Sequence, residues 1–210
     1  MRRALLVLAL LGCETKQMRD LDLDKIEVSR DAKLRTDTVG EGDYQSQSTF
    51  VLVDAENHGT EGAYVTLGGE LADGKGGKVG ELRPQSIWLP PGEPRTFALV
   101  DREGKARPDA AAARIHVRSA KIPSAPPPVR VDDIHELVDQ GRIVVQGTLH
   151  NDAKRPGEIM VIGSFHDETH HPMTRPFSMI HVAGEASTAV QFVGPEGSKH
   201  GTIYFGEMIY

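Results

Sequence analysis

Within residues 51–55 and 65–71, apolar or small side chains fall at every second position. They are Val51, Val53 and Ala55, then Val65, Leu67, Gly69 and Leu71. The same beat returns at Val145, Gly147 and Leu149, and again at Ile159, Val161, Gly163 and Phe165. A period of two sends alternate side chains to opposite faces of a pleated strand, so each run predicts a half-buried β-strand. The runs are punctuated by ADGKGG at 72–77 and LPPGEP at 89–94. Glycine supplies positive φ there and proline fixes φ, which is the chemistry of turns. Short alternating strands with regular turns predict antiparallel β-sandwiches.

The alternating runs belong to a repeat. Asn57, Gly69 and Asp73 match Asn151, Gly163 and Asp167, all 94 residues on. RPQSIWLPPGEPRT at 83–96 matches RPFSMIHVAGEAST at 175–188 at six positions, 92 residues on. ARIHV at 113–117 lies over GTIYF at 201–205. The drift in offset falls in Gly-, Pro- and charge-rich stretches, where loops absorb length changes. Two tandem copies of one all-β domain follow. KIEV at 25–28 opens the first copy as VRV at 129–131 opens the second.

The expected boundaries are 25–122 for the first sandwich and 129–210 for the second, with a Pro-rich linker at 123–128 inside IPSAPPPVR. Consecutive prolines favour extended, semi-rigid chain. The linker is expected to transmit few contacts, so residues 129–210 are expected to fold alone.

The start reads MRRALLVLALLGCETK. Arg2 and Arg3 precede a short apolar core, Ala4 to Leu11, far below the roughly eighteen residues that span a bilayer. Leu10, Leu11, Gly12 and Cys13 resemble the lipobox of bacterial lipoprotein precursors. The resemblance implies a signal peptide over 1–12, lipidation of Cys13 and a solvated tether over 13–24. It also implies a cell-envelope location, anchored in the outer membrane and facing the periplasm or the cell surface. Cys13 is the one cysteine, so no disulfide within the chain is available and each sandwich must hold by core packing. Loss of residues 1–12 lowers Lys+Arg from 24 to 22 against 30 Asp+Glu, and takes the net charge from -6 to -8. An acidic chain without a basic cluster argues against nucleic acid as a partner. Expected partners are the membrane, through lipidated Cys13, and another envelope protein.

FALVD at 97–101 carries a second resemblance. Phe97, Leu99 and Asp101 match the first, third and fifth positions of the motif that names the FxLyD-type immunoglobulin-like domains of bacterial envelope proteins, with Val100 where tyrosine is usual. AVQFV at 189–193 departs further. The resemblance implies a small sandwich used for adhesion, spacing or binding, and no catalytic residues.

HDETHH at 166–171 is the segment that invites chemistry. His166, His170 and His171 are candidate ligands for zinc, nickel or copper, with His150 and His200 as further histidines. The segment lies over the hairpin turn ADGKGG, so a solvated polar turn is the expectation and a metal- or small-ligand-binding lipoprotein the alternative. Trp88, matched with Ile180 in the repeat, is expected in the core. Asn57 and Asn151 suit turns in which the side chain bonds its own backbone. Glu93 and Glu185 have no recognisable acid–base partner, no G-x-S-x-G or Walker pattern occurs, and neither catalysis nor a cofactor is expected. A hydrolase with a site in unrecognised loops is the remaining rival.

Overall fold

The computed structural model describes residues 18–39 and 45–209. Cys13 and the rest of the LLGC segment at 10–13, the expected lipidation site, lie outside the described residues. The first half contains β1 (Arg19–Asp20), a 3-10 turn (Leu23–Lys25), β2 (Ile26–Val28), β3 (Lys33–Val39), β4 (Ser46–Asn57), β5 (Ala63–Ala72), β6 (Lys78–Leu89), β7 (Arg95–Val100) and β8 (Ala112–Ile122). The second contains β9 (Val129–Asp139), β10 (Arg142–Asn151), β11 (Gly157–His166), β12 (Pro172–Thr174), β13 (Phe177–Val182), β14 (Ala186–Val193) and β15 (His200–Ile209). No helix among the described residues is long and apolar enough to cross a membrane.

Two tandem antiparallel β-sandwiches result, with one connectivity. In the first, β4 pairs with β2, β3 and β7, while β5 pairs with β6 and β8, and β1 adds to β8. In the second, β10 pairs with β9 and β14, while β11 pairs with β12, β13 and β15. The openings correspond residue for residue: Ile26 faces Asn57 and Val28 faces Ala55, as Val129 faces Asn151 and Val131 faces Leu149. The alternating runs form the cores. Val51, Val53, Val65, Leu67 and Leu71 are buried in one, and Val145, Leu149, Ile159, Val161 and Phe165 in the other. Each fully buried Leu, Val or Phe contributes roughly 1.5–3 kcal/mol from transfer out of water. Gly69 and Gly163 recur for want of room. An added Cβ would lie 2.4 Å from the Arg114 carbonyl oxygen in one copy and 2.6 Å from the Phe192 ring in the other.

Register corrects the sequence match in one place. Val65 faces Ile87, and Ile159 faces Ile180, so the structural offset here is 93, not 92. One residue of slip exchanges the two faces of a strand. Trp88 therefore corresponds to His181 rather than Ile180, and points away from its own core. It pairs with Tyr64, whose ring meets it edge-on with centroids 5.3 Å apart, and it packs against the hydrophobic cluster of the second sandwich.

That contact is one of several that overturn the expectation of sandwiches joined by little more than a linker. Ile162 on β11 and Tyr204 on β15 belong to the hydrophobic cluster of the first sandwich, and Met160 packs against it. Their strands alternate as the sequence indicates. Ile159, Val161, Ile203 and Phe205 fill their own core, which turns the intervening Met160, Ile162 and Tyr204 toward the neighbouring copy.

Candidate functional site

The two asparagines do the same work in each copy. Asn57 Nδ2 donates to the carbonyls of Glu61 and Leu89, and its Oδ1 accepts from Gly59 N. Asn151 Nδ2 donates to the carbonyls of Arg155, Val182 and Ala183, and its Oδ1 accepts from Ala153 N. Both are fully buried, so the amide holds a turn to a strand end from inside. Glu93 forms a surface pair with Arg95. Glu185 stands in the left-handed region at φ 56°, in the turn where the first copy has Gly92 at 71°.

HDETHH forms the hairpin turn between β11 and β12, built like that between β5 and β6. Asp73 Oδ1 accepts from Lys75 N and Gly77 N; Asp167 Oδ1 accepts from Thr169 N and His171 N. The Thr169 hydroxyl and then the His171 amide lower the Asp167 pKa to about 2. His170, at φ 60°, occupies the left-handed position held by Gly76 at φ 84°. The turn separates the three candidate ligands. His166 Nε2 bonds Asp54 of the first sandwich at 3.0 Å, and His170 stacks on His200 with centroids 4.6 Å apart. His171 Nδ1 bonds the Thr169 hydroxyl at 2.6 Å, and His150 Nδ1 bonds Ser187. No group of three or more His, Cys, Asp or Glu side chains among the described residues is arranged to hold a metal ion.

The FALVD residues are structural. Phe97 and Leu99 lie in the core. Asp101 is fully buried. Burial raises its pKa, but the Arg107 guanidinium at 2.8 Å and the amides of Lys105 and Glu103 lower it further, so the net shift is downward.

The polar groups that sequence reasoning missed lie between the sandwiches. The Thr96 hydroxyl donates to Asp54 Oδ1 at 2.5 Å, and so accepts from Ser164 Oγ, also at 2.5 Å. A carboxylate oxygen accepts, so His166 carries its proton on Nε2 toward Asp54. The Tyr204 hydroxyl accepts from Thr96 N at 3.0 Å and donates to Thr96 O at 2.8 Å. Arg95 caps the ring, its guanidinium 4.7 Å from the centroid. β7 is an edge strand, and side chains cover part of its outer edge: Tyr204 takes the amide and carbonyl of Thr96, and Gln85 Oε1 takes the Ala98 amide. Uncovered edges invite pairing with other chains.

Beside this seam lies a cleft of about 710 Å³ walled by both copies. Arg35, Asp37 and Phe50 line it from the first sandwich, and Met160, Arg175 and Phe177 from the second. Val100, the fourth residue of FALVD, lines it too. Nothing in the spacing of Arg35 and Arg175, 140 residues apart, marks them as neighbours of one cavity.

No family model matches the chain, and no curated protein matches it. Among solved structures it is similar to a β-glucuronidase from glycoside hydrolase family 2, at 10% identity and a TM-score of 0.27, covering 79% of this chain and 21% of that one. It is also similar to the N-terminal CBM22-1-CBM22-2 tandem domain of Paenibacillus barcinonensis Xyn10C, at 8% identity and a TM-score of 0.14, covering 90% of this chain and 88% of that one. At these scores neither likeness assigns an activity.

Proposed function

We propose that this chain is a lipid-anchored protein of the cell envelope with a protein-binding or structural role, its paired sandwiches carried outward from an acylated Cys13. The LLGC sequence behind a short apolar core supports the anchor. The observation that carries the binding role is β9. It is an edge of its sheet, and its distal half leaves Ile134, Leu137 and Val138 exposed. Val138 faces Ile143 at the hairpin end, and Val193, also exposed, lies across β10 from Leu137. A long edge strand with apolar side chains suits partner recognition by strand addition, where backbone bonds give affinity and alternate side chains give selectivity.

Two experiments test this. Clickable fatty acid should label the wild type and not Cys13→Ser; equal labelling would remove the anchor. A photo-crosslinking residue at position 138, in the intact envelope, should give a discrete adduct that Leu137→Asp abolishes. A site in the exposed turn at Gly74 should give none. Identical adduct patterns from positions 138 and 74 would remove the binding role.

A further inference from the structure

We infer that the cleft between the sandwiches is a binding site for a small apolar monocarboxylate, whose charge Arg175 and Arg35 receive. This stands independently of the lipid anchor and of the β9 edge.

The first observation is an unspent donor. Arg175 Nε is buried and has no hydrogen-bond partner among the described residues. A buried polar group without a partner is costly, more so on a charged side chain, and native structures keep few of them without a reason. Arg175 lines the cleft, and Arg35 lines the same space from β3 of the other sandwich. Neither arginine forms an ion pair among the described residues, although nine other Lys or Arg side chains do. The guanidinium is a planar fork of donors that matches a carboxylate with two parallel bonds.

The second observation is the character of the walls. Phe50, Val100, Met160, Met173 and Phe177 line the remainder. Aromatic rings and methionines make an adaptable apolar surface. The volume of about 710 Å³ lies inside the roughly 300–1,000 Å³ range of small-molecule sites, which favour clefts between domains. Asp37 also lines the cleft and sets the ligand charge. Two guanidinium groups against one carboxylate leave a single positive charge, which one monoanion neutralises. An apolar body with one carboxylate satisfies the arginines and the walls together.

The test uses the full chain in buffer, titrated calorimetrically with phenylbutyrate and with its neutral isostere phenylbutyramide, with each ligand titrated into buffer alone as the blank. Phenylbutyrate should bind with a Kd in the millimolar range or below, and the amide at least about tenfold more weakly. Arg175→Gln and Arg35→Gln should each bring the acid down to the level of the amide. Arg118→Gln, outside the cleft, should change nothing. Arg175→Gln should not lower the melting temperature, because Nε has no partner to lose and its burial is itself costly. Should that variant fail to fold, Arg35→Gln and a cleft-filling Ala98→Phe decide. The latter should abolish binding of both ligands. Equal binding of acid and amide, no binding of either, or full affinity in Arg35→Gln and Arg175→Gln would overturn the inference.

Discussion

Tyr204→Phe removes one oxygen atom from the seam between the sandwiches. The ring stays, and with it the packing against the first cluster and the contact with Arg95. The lost hydroxyl bonds both backbone groups of Thr96, at 3.0 and 2.8 Å, in a position only 2% exposed. Leaving a buried donor or acceptor unsatisfied costs about 1–3 kcal/mol. Two such groups, with some relaxation, give an expected loss of about 2–4 kcal/mol. Urea unfolding of the full chain measures that loss, and amide hydrogen exchange locates it. The Thr96 amide should exchange faster in the variant, while the Val53 amide, in the core ladder, should not be singled out. A loss below about 0.5 kcal/mol, the range of ordinary surface changes, would refute the reasoning, as would unchanged protection of Thr96.

His170→Gly should stabilise the chain by about 0.5–1 kcal/mol, since a left-handed side-chain residue costs about 1–2 kcal/mol and glycine gives part of that back through its freer unfolded chain; a lowered melting temperature would show that stacking on His200 outweighs backbone strain. Asp101→Ala should cost about 2–4 kcal/mol in urea unfolding, because it strands Arg107 and two amides, and a neutral result would remove the structural reading of FALVD. Asp167 has a lowered folded pKa of about 2, so its contribution is fully present above the unfolded value near 3.9 and is lost as pH falls toward 2. Asp167→Asn should therefore flatten the stability profile between about pH 4 and 2, measured by acid titration of the unfolding midpoint; an unchanged acid slope would contradict the assignment.

The repeat was legible because its anchors are local. Asn57 and Asn151, or Asp73 and Asp167, bond backbone groups two to four residues away, so each needs its own short motif and both copies keep it. Identity misled in the window containing Trp88, where an ungapped match at 92 hid a true offset of 93. Strands tolerate many residues but not a slip of one, so pairing with Val65 and Ile159, rather than letter matches, decides the face. The seam was not legible at all. Thr96, Ser164 and Tyr204 sit at ordinary strand positions, and their partners across the seam lie 68 to 108 residues away. The sole hint was phase: Tyr204 stands between core residues Ile203 and Phe205, on the outward beat where a large apolar ring needs a neighbour. The cleft follows from the seam and was invisible for the same reason.

Sandwiches that share Tyr204 and Ile162 should unfold together. Hydrogen exchange with mass spectrometry across a urea series can follow peptides over Val51–Ala55 and Val145–Leu149 in the same full-length molecule. Coincident transitions from separate probes mark one cooperative unit. The expected result is a single common midpoint for the two peptides. Separate midpoints, with one copy exchanged while the other stays protected, would contradict the coupling of the two sandwiches.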